Sequence, residues 1–129
     1  MAEDIVLSDL QMDLMRVLWR SGDLSVAEVT EALAGRDLAH TTVATLLTRL
    51  EKRGAVAARR DGRMLLYTAT VSEAQVRRNM VSSLIMQVFR GDPKALLAHL
   101  VSEREVAQGD LEQVRALLQR DDEDGSASP

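Results

Sequence analysis

Apolar residues recur at helical spacing through Leu10, Leu14, Val17 and Leu18, behind a Ser8-x-x-Gln11 capping box. This predicts a first helix that Trp19 closes and Gly22 stops. A second capping box, Ser25 and Glu28, opens a short helix that turns Val26, Val29 and Leu33 inward and ends at Gly35. Residues 36–39 form a turn, and a third helix begins between Ala39 and Thr42, where no residue is a clean N-cap. Its stripe of Val43, Leu46, Leu47 and Leu50 fixes its phase. At about 100° per residue, Thr41, Thr45, Thr48 and Lys52 then point away from the core, with Ala44 and Arg49 flanking that outer face. Gly54 ends the helix after a Lys-Arg pair that suits the negative end of its dipole.

The period then changes. Residues 55–59 and 64–68 read as two strands around Asp61-Gly62, a hairpin signal, with Arg60 and Arg63 projecting at the tip. From Ser72 the pattern is helical again, with Val76, Met80, Leu84 and Val88 beside Val81, Ile85 and Phe89. Gly91-Asp92-Pro93 breaks this helix. A short helix carrying Leu96, Leu97, Leu100 and Val101 follows, and Leu111, Val114, Leu117 and Leu118 mark a last one. The tail from residue 121 is acidic and poor in apolar residues, so it is expected to be disordered.

These elements predict a mainly α chain with a small β-hairpin. Residues 1–71 form a winged helix-turn-helix, residues 72–120 a helical dimerisation region, and residues 121–129 a tail. A three-helix winged unit already has its own core. The wide apolar stripes of Val76, Met80, Leu84, Val88, Leu96, Leu97, Leu100, Leu111, Val114 and Leu118 therefore predict an interface with a second copy. A twofold dimer would present two DNA-reading units to two half-sites.

Composition narrows the chemistry. The 129 residues are 46% hydrophobic but only 2% aromatic, so the core must be built from Leu, Val, Met and Ala. There is no cysteine, and His40 and His99 lie far apart without a ligand cluster, so neither a metal site nor a cofactor is expected. No apolar run is long enough to span a bilayer and the first residues are acidic, which predicts a cytoplasmic protein without membrane insertion. The net charge of −4 is unevenly spread. Residues 36–63 hold seven basic side chains (Arg36, Arg49, Lys52, Arg53, Arg59, Arg60, Arg63) against three acidic ones, leaving −8 on the remainder. A basic patch on an acidic body steers DNA to one face. Arg49, Lys52, Arg60 and Arg63 are the expected phosphate ligands on a double-stranded DNA operator, and the third helix the sequence reader.

Three segments in order, Met15-x-x-Leu18-Trp19-x-x-Gly22, the run HTTVATLLTRLEKRGAV and the later VFRGDPKALLAHLVSE, resemble the BlaI/MecI-type penicillinase repressors over about residues 7–120. The resemblance implies a dimeric winged-helix repressor of palindromic operators, acting in an antibiotic response. It implies that Thr41, Thr42, Ala44 and Thr45 face DNA at the start of the recognition helix. Ala44 stands where well-known members carry a base-reading arginine, and Thr41 where they carry a lysine. Threonines and alanine offer hydroxyls to phosphate and methyl contacts to thymine, but not the bidentate guanine contact of arginine. The resemblance also implies release through a membrane sensor peptidase and cleavage in the short helix, at the bond matching His99-Leu100. Copper-responsive relatives use a C-terminal cysteine cluster that this chain lacks.

Two other classes compete with a repressor. A winged-helix protein-interaction module would use the same fold without DNA, but such modules tend to lack the basic third helix and wing seen here. An enzyme finds little support: the chain offers no Ser/His/Asp arrangement, no Gly-rich phosphate loop, and no paired carboxylates beside a histidine.

Overall fold

The computed structural model describes residues 5–125. Helix α1 (Asp9–Ser21) starts at the expected capping box: Gln11 N donates to Ser8 Oγ at 3.2 Å and Ser8 N donates to Gln11 Oε1 at 2.9 Å. It buries Leu14, Met15, Val17 and Leu18 and stops at Gly22, whose φ of 85° suits a residue without Cβ. The two-residue strand β1 (Leu24–Ser25) follows and runs directly into α2 (Val26–Ala32). Ser25 closes the strand and caps the helix at once, exchanging hydrogen bonds with Glu28.

The second helix ends earlier than Gly35. Leu33 caps it, and Ala34–Arg36 tighten into a 3-10 turn that carries Gly35 within it. Asp37 then takes a left-handed φ of 54°, which an aspartate tolerates better than most residues. Helix α3 (His40–Lys52) begins at Ala39, which offers no side-chain cap, and Gly54 at φ 81° releases the chain after it.

Strands β2 (Val56–Asp61) and β3 (Met64–Ala69) form the hairpin. Asp61 pairs with Met64, so the two-residue loop is Gly62-Arg63 rather than Asp61-Gly62. Gly62 takes φ 63° at the first loop position, the place a type II′ turn reserves for glycine. The sheet order is β1-β3-β2, all antiparallel, with Leu24 opposite Tyr67 and Ser25 opposite Leu66. The sequence reading had no β1, because two residues are too few to establish a period.

One core joins α1, α2, α3 and the sheet through Leu14, Leu18, Val29, Val43, Leu47, Leu50, Val56 and Tyr67. Trp19 packs at its edge and donates its indole N–H to the Val71 carbonyl at 2.8 Å. Val76, in the first turns of α4 (Glu73–Phe89), is fully buried in the same core, and Met80 packs against it. The first compact unit accordingly runs to Leu84 and the second begins at Ile85, later than the boundary at residues 71/72 read from the sequence.

The second unit holds the end of α4, then α5 (Pro93–Ser102) and α6 (Gln108–Gly125). Asp92 caps α5 by accepting from Lys94 N at 3.0 Å, with Pro93 opening the helix. The α6 backbone continues through residue 125, into the stretch expected to be disordered, since extending a nucleated helix is far easier than starting one. Residues 126–129 of that expected tail lie outside the described residues.

Candidate nucleic-acid interface

The apolar stripe of α3 sets the opposite face outward. Val43, Leu47 and Leu50 are buried and Leu46 packs against the core. Thr41, Thr42, Thr45, Thr48, Arg49 and Lys52 are exposed, as the helical phase predicts, and Ala44 is half-buried on the flank. Thr45 donates its hydroxyl to the Thr41 carbonyl at 3.0 Å, and Thr48 donates to Ala44 at 2.9 Å. These back-bonds use the hydroxyl protons inside the helix. Methyl groups and oxygen lone pairs are what Thr45 and Thr48 have left to offer outward. His40, exposed in the first turn of α3, was not singled out from the sequence, where it read only as an isolated histidine.

The structure sorts the seven basic residues of the patch. Arg36 lies in the turn before α3 and is tied back to α1: its Nε donates to Asp13 Oδ2 at 2.7 Å and its Nη2 to Asp9 Oδ2 at 2.9 Å. Arg59 is tied to Asp23, and Arg53 donates to the Val6 carbonyl at 2.9 Å. Arg49, Lys52, Arg60 and Arg63 are exposed and make no hydrogen bond or ion pair among the described residues. The arginine hydrogen bonds hold the Asp13 and Asp23 carboxyls below their ordinary range. The four free cations therefore lie on the last turns of α3 and at the wing tip.

The wing also exposes Met64 (49%) and Leu65 (39%), which the sequence reading placed in a strand without separating them from the core. The hairpin extends past the helices there, so alternation no longer buries either side.

The predicted dimerisation residues divide. Val76 belongs to the winged core and Met80 is half-buried against it, so neither is surface. Steps of four residues advance about 400° around a helix, so a stripe spaced by four drifts around α4. Exposure rises accordingly from 0% at Val76 to 43% at Leu84 and 60% at Val88. In the second unit Leu97, Leu111, Val114 and Leu118 are exposed, and Leu96 and Leu100 are half-buried. Met86, Val101 and Leu117 add to this exposed apolar surface. The His99-Leu100 bond lies in regular helix, with His99 exposed and its ring 5.8 Å from that of Phe89. The Leu100 carbonyl accepts from Glu105 N at 2.9 Å. Among the described residues, no group of His, Asp and Glu is placed to hold a metal ion, and no helix is long and apolar enough to cross a membrane.

A helix-turn-helix followed by a β-wing, with free cations flanking the third helix, defines the winged-helix class of DNA-binding transcriptional repressors. The Penicillinase repressor family model matches residues 7–120, and the chain belongs to that family. The methicillin resistance regulatory protein MecI of Mammaliicoccus sciuri is 24% identical over 115 residues, covering 88% of this chain and 94% of the relative. The solution structure of monomeric Bacillus licheniformis BlaI in complex with the blaP half-operator is 28% identical, covering 57% of this chain and 90% of that one, with a TM-score of 0.49. The YusO protein of Bacillus subtilis shares the fold at 18% identity, covering 88% of this chain and 73% of that one, with a TM-score of 0.51.

Proposed function

We propose that this chain is a dimeric repressor that binds a palindromic double-stranded DNA operator. The observation that carries this reading is the set of four unpaired cations, Arg49, Lys52, Arg60 and Arg63, bordering an exposed threonine face on α3. In this reading the cations neutralise phosphates and fix the register. Thr41, Thr42, Ala44, Thr45 and Thr48 meet base edges, where methyl groups and hydroxyl oxygens favour thymine-bearing sequence. The exposed apolar residues from Leu84 to Val88 and along α5 and α6 pack against a second copy, and the twofold pairs two readers with two half-sites.

Release follows from the same elements. A signal relayed by a membrane sensor peptidase leads to a cut at His99-Leu100, which unwinds the last turn of α5 and removes α6 from the dimer surface. Supporting this are the exposure of His99 and the non-helical stretch between α5 and α6.

Fragment selection tests the reading. Genomic DNA is passed over the immobilised full chain at moderate salt, and the retained fragments are sequenced. Enrichment of a short inverted repeat is expected. No retained fragment at any salt would overturn the reading in favour of a protein-interaction module.

A further inference from the structure

Strand alternation separates the wing arginines onto two faces. Residues directly opposed in an antiparallel pair share a face. Val56 with Ala69, Ala58 with Tyr67, and Arg60 with Leu65 therefore lie on the side that packs on the helices. Arg59 with Leu66 and Ala57 with Thr68 lie on the outer side. Ser25 of β1 is opposite Leu66, so Asp23, two residues earlier, continues on that outer side beside Thr68.

Arg59 reaches across β3 to Asp23. Its Nη2 and Nε both donate to Asp23 Oδ2, at 2.7 and 3.1 Å. The hydroxyl of Thr68 adds a second hydrogen bond to that carboxylate. Among the described residues this is the ion pair that joins the two edge strands of the sheet. The join falls at an informative place. Inward of it the wing is held by Val56, Tyr67 and the core; outward of it Met64 and Leu65 are exposed, and only the ladder of β2 with β3 gives it shape. Arg60 and Arg63 both lie on the outward part.

We propose that Asp23 is a positioning residue for DNA binding: it holds Arg59 across the sheet, fixes the angle at which the wing leaves the winged unit, and so sets where Arg60 and Arg63 meet the phosphate backbone. The same pair withdraws Arg59 from the phosphate ligands. This rests on the reading of the chain as a DNA-binding repressor.

Asp23→Asn, Arg59→Gln, their double variant and the charge-swapped Asp23→Arg/Arg59→Asp chain separate the alternatives. Affinity for a fragment retained by the wild type is measured by fluorescence anisotropy at several salt concentrations, well below the melting temperature. Amide exchange in β2 and β3 is followed without DNA. Each single variant is expected to weaken binding roughly two- to fivefold, the range of an exposed bidentate pair, with the salt slope unchanged. The double variant should weaken binding no more than either single one, the swapped chain should recover, and exchange in the wing should quicken in both singles.

Four results would overturn the proposal. A slope reduced by about one in Arg59→Gln would make Arg59 itself a phosphate ligand. Tighter binding by Asp23→Asn would mean that the carboxylate only masks a cation. Unchanged affinity in the folded single variants would reduce the pair to a fold contact, and unchanged wing exchange would remove the strap itself. Failure of the wild type to bind any DNA is read separately and would remove the repressor reading along with the proposal.

Discussion

Arg36 and Asp13 join the turn before the recognition helix to α1, with Arg36 Nε donating to Asp13 Oδ2 at 2.7 Å. Asp13 is held below the ordinary carboxylate range, chiefly by this hydrogen bond. A carboxyl with a depressed folded pKa contributes stability that is present above its unfolded pKa, about 4, and is lost as pH falls through the folded value. The Arg36→Ala chain should therefore be less stable than the wild type at neutral pH, and the two should converge below about pH 4. Urea midpoints between neutral and strongly acid pH measure this. A gap that stays constant in acid would show that the ion pair is not its source.

The half-buried Ala44 sits among exposed threonines and carries no hydrogen-bonding group. Ala44→Arg should add a bidentate donor to the reading face and shift the selected sequence toward guanine at one position per half-site. Discrimination of about 1–3 kcal/mol is expected at that base pair. Parallel selections with the two chains check it. Identical selected sequences would place Ala44 away from the bases.

Burial along α4 predicts that two valine and leucine changes behave differently. Val76→Ala removes two methyl groups from a fully buried position and should lower stability by on the order of 2 kcal/mol, measured by urea unfolding. Leu118→Glu places a charge on an exposed apolar position and should leave the winged unit folded while dissociating the dimer. Sedimentation equilibrium reads the second effect. A Leu118→Glu chain that remains dimeric would exclude α6 from the interface.

Most of the winged unit was legible because its signals are local. Two capping boxes, the glycine stops and the phase of Val43, Leu47 and Leu50 are fixed within a few residues, and they placed the threonine face correctly. What escaped depends on distant partners. The two-residue β1 exists only because β3 offers it a ladder, and Val76 looked like spare apolar surface until the fold brought it into the core. Charge counting could not separate paired from free cations: Arg36 and Arg59 face Asp13 and Asp23 from 23 and 36 residues away. Arg60 stands next to Arg59 in sequence yet on the other face of the wing, so one is strapped and the other free.

Arg49, Lys52, Arg60 and Arg63 make a quantitative claim about DNA binding. If these four cations of each protomer carry the phosphate contacts, a dimer on two half-sites should lose affinity with a log–log salt slope of about −7, and Arg60→Ala should reduce its magnitude by about two. The decisive measurement is the affinity of the wild-type chain for a selected operator fragment across a range of salt concentrations. A slope near −7 is the predicted result; binding that is absent, or insensitive to salt, would contradict the account.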